Sequence, residues 1–147
     1  MERRVIVIVG ATCSGKTSLA LKLAAKLNTE ILSADSRQIF KSLDIGTAKP
    51  NRDELTSIKH HFIDSLNPNE SFNVTKYETE SLKIIYNLHR TGKIPIVAGG
   101  SGLYVKAIVE GLFNEVDTDE EYRKLLLEER EKFGNDFLYQ KLIEVDK

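Results

Sequence analysis

Gly10-Ala11-Thr12-Cys13-Ser14-Gly15-Lys16-Thr17 fits the spacing G-x-x-x-x-G-K-[ST] in full. Each position has a physical reason. The glycines let the backbone curl so that successive N–H groups point inward at phosphate oxygens. A helix beginning at this point adds its partial positive charge. Lys16 supplies a movable cation, and Thr17 offers a hydroxyl that can ligate Mg²⁺. Cys13 lies inside the loop, where a small side chain fits. A phosphate chain is the expected ligand. The motif does not name the reaction, because small-molecule kinases and many NTPases share it.

A second group lies further on. Asp35 follows a short apolar segment, among Ser33, Ser36, Arg37 and Gln38. A carboxylate there can be a general base, a Mg²⁺ ligand or a turn cap. Ser, Arg and Gln are also side chains that read base edges. Ser101, in Gly99-Gly100-Ser101-Gly102, carries a hydroxyl that can bond a substrate or Asp35. A tight strand-to-helix turn would have the same composition.

These loops need elements to position them. Residues 5–9 are all apolar and β-branched, which predicts a strand buried on both faces of a parallel sheet. A helix is predicted over 17–27, with Leu19, Leu23 and Leu27 at helical spacing, and a second strand over 30–33. Residues 41–58 read mostly as loop, punctuated by Gly46 and Pro50. Residues 60–64 predict a short third strand. His60 and His61 would point to its opposite faces, against a shared metal. Val74, Tyr77, Ser81, Ile84, Ile85 and Leu88 trace one face of a long helix stopped by Gly92. A strand over 94–98 and a helix running to residue 112 follow. Two amphipathic helices, separated by Gly134, complete the chain. Alternating strands and helices give an α/β fold, a parallel sheet flanked by helices, whose ligands bind beyond the carboxyl ends of the strands. The loops at 10–17, 34–38 and 99–102 are expected at such ends.

Composition agrees with a globular protein. Of 147 residues, 41% are hydrophobic and 29% charged, which excludes a disordered, collagenous or disulfide-framed chain. The net charge of −1 hides an asymmetry. Residues 1–114 hold 15 basic and 11 acidic side chains, and residues 115–147 hold 6 and 11. The first part suits an anion. The second reads as solvated helix faces and a poor RNA grip by itself. Cys13 is the sole cysteine, so no internal disulfide forms, as in a reducing compartment. No apolar run approaches the roughly 18 residues of a membrane span, and the run at 5–9 is too short for a signal peptide. A cytoplasmic monomer is expected.

The ordered motifs carry a resemblance. The phosphate loop, Ser33-Ala34-Asp35-Ser36-Arg37-Gln38, Asp44-Ile45-Gly46-Thr47-Ala48-Lys49-Pro50, His60-His61-Phe62-Ile63-Asp64 and Gly99-Gly100-Ser101-Gly102-Leu103-Tyr104 together resemble the tRNA dimethylallyltransferases. The resemblance is dense over residues 5–113 and looser beyond. It implies a P-loop NTPase-like core over 1–114 and the start of a helical, tRNA-binding insertion over 115–147. It implies transfer of a dimethylallyl group from dimethylallyl diphosphate to N6 of the adenosine 3′ of a tRNA anticodon. Gly10 to Thr17 would hold the diphosphate with Mg²⁺, Asp35 would be the general base, and Asp35, Ser36, Arg37 and Gln38 would hold the target adenosine and its neighbours. Ser101 falls where the family usually has threonine, and Arg123 near a position that touches tRNA. Family members continue well past residue 147, which implies a truncated form. An adenylate isopentenyltransferase, a P-loop small-molecule kinase and a non-catalytic phosphate-binding fragment are the alternatives.

Overall fold

The computed structural model describes residues 3–112 and 119–146. Short apolar runs become β1 (Ile6–Val9), β2 (Ile31–Ala34), β3 (His60–His61) and β4 (Ile96–Gly99). All pairings are parallel, in the order β1-β4-β2-β3. The helices are α1 (Lys16–Leu27), α2 (Arg52–Ser57), α3 (Val74–Arg90), α4 (Gly102–Glu110), α5 (Glu120–Phe133) and α6 (Asn135–Val145). The chain divides into two units, Met1–Phe113 and Asn114–Lys147. The boundary expected between residues 114 and 115 lies outside the described residues.

Strand alternation sorts the core into two layers. Ile31 and Ile96 pack with Ala20 and Ala24 of α1 on one face. Leu32, Ala34 and Val97 face the other way, toward Tyr77, Ile85 and Leu88 of α3 and Tyr104 of α4. Burying each large aliphatic side chain contributes about 1.5–3 kcal/mol. Pro95 is fully buried immediately before β4, where its missing N–H disturbs no ladder bond. In the second unit, Gly134 at φ 82° separates α5 from α6. The Phe133 and Phe137 rings meet at 4.9 Å, and Lys141 pairs with Glu129 at 2.7 Å.

Four expectations need correction. The buried face of α1 is Ala20 and Ala24, while Leu19 is half exposed, because small side chains let the helix sit close to the sheet. β1 pairs only with β4 among the described strands and is partly buried, with Val9 60% exposed, rather than covered on both faces. The supposed loop over 41–58 contains α2, started by a capping box in which Asn51 and Glu54 bond each other's backbone N–H. The strand expected over 60–64 ends at His61, because Phe62 (φ 62°) and Asp64 (φ 49°) take left-handed conformations that no strand continues.

Glu30 anchors the amino end of the sheet. Its Oε2 lies 2.7 Å from His61 Nε2 and 3.2 Å from Lys59 Nζ, and Lys93 stands 3.6 Å from Oε1. Burial pushes its carboxyl pKa up, but hydrogen bonds and charge from His61 and Lys59 outweigh that and hold it below the usual 4.5.

Two outcomes follow. A carboxyl whose folded pKa is depressed stabilises the protein above its unfolded pKa and loses that contribution as pH falls through the folded value. The gap in thermal midpoint between the parent and Glu30→Gln should therefore be full at neutral pH and shrink once pH drops below about 4.5. A Cβ at Gly99 would stand 2.1 Å from the Ala34 carbonyl oxygen. Gly99→Ala should lower stability by about 1–3 kcal/mol, read as a lower urea midpoint at unchanged m-value.

Candidate functional site

Parallel register places three loops at one level. Val9 pairs with Gly99, and Gly99 with Ala34. Gly10, Gly100 and Asp35 are thus the first residues beyond three adjacent strands. Neighbouring strands lie about 4.8 Å apart, so the phosphate loop and Asp35 start about 10 Å from one another, with β4 between them.

The phosphate loop follows β1 and opens α1. Gly15 sits at φ 86° at the helix N-cap, and Cys13, an exposed free thiol, takes φ 63°. Lys16 is folded back on its own loop, where Nζ donates to the Ala11 carbonyl at 2.6 Å. Thr17 is partly buried on the first turn.

The turn after β4 is stitched to the turn after β2. Ser101 N–H donates to the Ala34 carbonyl at 3.0 Å, and Ser36 N–H donates to Ser101 Oγ at 3.0 Å. The two serine hydroxyls lie 3.4 Å apart. Ser101 therefore meets Ser36, rather than the Asp35 carboxylate that was one expected partner. Its geometry is that of a group fixing the Asp35 turn.

Asp35 does form a turn cap. Its Oδ1 accepts N–H bonds from Arg37 at 2.9 Å and Gln38 at 3.3 Å. No hydrogen bond among the described residues reaches Oδ2. In the core layer with Leu32, Ala34 and Val97, Tyr104 and Tyr77 stack at 4.1 Å and 17°. Burial raises the Tyr104 pKa, and the charge of Asp35 raises it further. Burial also raises that of Tyr77. Ser81 lies close enough to temper that shift but outside hydrogen-bond geometry, leaving both buried hydroxyls unpartnered among the described residues.

Phosphate loop and carboxylate share one cleft of about 520 Å³. Thr12 to Ser18 form one wall, Ala98 to Gly100 the base, and Asp35, Arg37 and Gln38 the other side. Gly46, Thr47, Ala48 and Glu54 complete it. Reading residues 41–58 as loop missed these four as cleft residues. The Asn51…Glu54 spacing could have revealed α2, but nothing local shows that the loop folds over the site. Gln38 joins the parts. Its Oε1 accepts from Ser33 Oγ at 3.0 Å, and its Nε2 donates to the carbonyls of Thr47 at 3.0 Å and Ala48 at 3.4 Å.

The donor set bears on Mg²⁺. Thr17, Asp35 and Glu54 present hard oxygens to this cleft, which suits an ion that keeps several waters and takes one or two carboxylates plus phosphate oxygens. His60 and His61 are spent elsewhere, on the Ile58 carbonyl at 2.8 Å and on Glu30. Burial lowers the His60 pKa. Arg123 is exposed on the first turn of α5, in the second unit.

Comparison with known proteins gives a consistent result. The family described as IPP transferase matches residues 38–147. A tRNA dimethylallyltransferase of Acetivibrio thermocellus is 48% identical over 143 residues, 97% of this chain and 46% of that protein. One from Caldanaerobacter subterraneus is 44% identical over 147 residues, 99% of this chain and 47% of that protein. The crystal structure of a tRNA isopentenylpyrophosphate transferase from Bacillus halodurans superposes with a TM-score of 0.73 at 36% identity, covering 99% of this chain and 48% of that one. A eukaryotic dimethylallyltransferase acting on tRNA gives 0.82 at 32% identity, covering 99% and 36%. The chain spans about half the length of the curated relatives it matches.

The cradle itself can be tested with inorganic pyrophosphate. Lys16→Ala removes a charge-assisted donor, so pyrophosphate affinity measured by calorimetry should fall on the order of 10–100-fold. The thermal midpoint should stay within about 2 °C, because Lys16 spans only its own loop.

Proposed function

The chain belongs to the IPP transferase family, and from that premise we propose that it carries the prenyl-transfer cleft of a tRNA dimethylallyltransferase. The reaction moves the dimethylallyl group of dimethylallyl diphosphate to N6 of the adenosine 3′ of a tRNA anticodon. The observation that carries this proposal is the shared cleft, in which a phosphate loop and a carboxylate face each other over the glycines that end β4.

The residues divide the work. Amides of residues 10–17 bind the diphosphate, and Lys16 exchanges its bond to Ala11 for a phosphate oxygen. Asp35 holds Oδ1 against its own turn, which aims Oδ2 into the cleft as proton acceptor. The adenine amine attacks the primary allylic carbon. The carbon–oxygen bond to the diphosphate breaks with its electron pair, and the N6 proton passes to Asp35. Lys16 and the loop amides stabilise the charge gathering on the leaving diphosphate. Mg²⁺, held by the Thr17 hydroxyl, supplies further charge neutralisation when bound. Ser36, Arg37 and Gln38 contact the adenosine and its neighbours, which must leave the anticodon stack to reach the pocket. Ser101 fixes the Asp35 turn through Ser36, and Arg123 adds a phosphate contact to the tRNA. On this reading the protein is a monomer acting in the cytoplasm on tRNA. Among the described residues no helix is long and apolar enough to cross a membrane.

The test weighs RNA. Incubated with an anticodon stem-loop and dimethylallyl diphosphate, the protein should add one prenyl unit per RNA. Asp35→Asn should slow that gain by about 10²–10⁴-fold while pyrophosphate affinity stays within about twofold. An Asn variant that prenylates at the parental rate would remove Asp35 from the chemistry. A parent that hydrolyses ATP or phosphorylates a small molecule instead would replace the transfer reaction.

A further inference from the structure

One wall of the cleft is held in an unusual way. Residues 41–46 and Ala48 are all exposed, and Ile45 at the tip is 98% exposed. No buried apolar side chain anchors this stretch before Pro50. Two polar tethers do so instead. Gln38 takes the Thr47 and Ala48 carbonyls and itself lines the cleft. Lys49 provides the second tether from outside the cleft.

The Lys49 side chain is only 4% exposed. Its Nζ donates to the Phe40 carbonyl at 2.6 Å, to Asp44 Oδ1 at 2.9 Å and to Asp64 Oδ1. Three partners use all three ammonium protons. They come from three places: the segment after the Asp35 turn, the wall loop itself, and the segment after β3. The loop also folds on itself, with Thr47 Oγ1 donating to the Leu43 carbonyl. Burial disfavours the ammonium, yet the Asp64 and Asp44 carboxylates outweigh it and hold the pKa above the usual range. The tether therefore stays charged across the neutral range.

We propose that Lys49 is a positioning residue for the acceptor half of the cleft, fixing Gly46, Thr47 and Ala48 opposite the phosphate loop so that a flat base is gripped against Asp35 and Gln38. This rests on the proposed prenyl transfer to RNA. It assigns Lys49 no contact with substrate, because its ammonium is spent on protein oxygens and it does not line the cleft. Lys49's three partners, Phe40, Asp44 and Asp64, belong to none of the elements of the diphosphate half, β1, the loop over 10–17 and α1.

Three readouts test it. In Lys49→Gln, amide order parameters over residues 43–48 should fall from about 0.85 to below about 0.6. The KM for the anticodon stem-loop should rise about tenfold or more, while pyrophosphate affinity stays within about twofold. Lys49→Arg, which keeps the charge and several donors, should recover most of both losses. Unchanged order parameters in the Gln variant, or pyrophosphate binding weakened as much as stem-loop binding, would overturn the proposal. If Lys49→Gln does not fold, Asp44→Ala, which removes one exposed partner, is read by the same criteria. A parent that never prenylates RNA defeats the proposed function alone, and the order parameters still decide whether Lys49 holds the wall.

Discussion

The site depends on one backbone contact, the Ala34 carbonyl lying where a Gly99 side chain would begin. Parallel pairing brings the ends of β1, β4 and β2 level, and the missing Cβ lets the middle strand turn tightly under its neighbour. The same carbonyl then accepts the Ser101 N–H. From that turn Ser101 reaches Ser36, and the Asp35 carboxylate is fixed one residue away. The loop over residues 10–17 and the Asp35 carboxylate thus become neighbours through main-chain geometry. The two core layers keep the strands in register, and register sets the spacing of the chemistry.

The two halves of the cleft are built on different principles. The phosphate half is a local structure, encoded within eight consecutive residues and supported by α1. The opposite half is assembled from segments far apart in sequence, and it is joined by side-chain bonds from Gln38 and Lys49 rather than by apolar packing. Polar tethers are directional, so they fix a loop without covering it.

Much of this was legible in the sequence. The phosphate loop could be read because its function lies in local backbone shape. The β-branched runs and the Val74 to Leu88 periodicity gave the strands and α3 for the same local reason. Tertiary facts were harder to read. Leucine spacing suggested one face of α1, but close packing against the sheet selected alanines. Of the two residues that end β3 early, Asp64 is a common turn-former, but Phe62 carries no turn signature, so its left-handed backbone comes from context. Ser101's choice of Ser36 over Asp35 follows from register between strands some 65 residues apart, which no local pattern encodes. The role of Gly46 to Ala48 was hidden because exposed loops look alike until their tethers are seen.

The wall and the segment it is tied to share a further property. Ser42, Ala48, Phe62 and Asp64 all have left-handed backbones, at φ 63°, 49°, 62° and 49°. Each costs about 1–2 kcal/mol relative to glycine at Ser42, Ala48 and Phe62, and less at Asp64, whose short polar side chain tolerates this region. The wall loop and the segment after β3 therefore hold conformational tension, kept loaded by the surrounding bonds. Glycine would relax the exposed Ser42 and Ala48, but at Phe62, buried against Phe72 and Tyr77, it would empty part of the core. At the two loop positions that relief would also loosen the wall, because glycine frees the backbone that the surrounding bonds now hold.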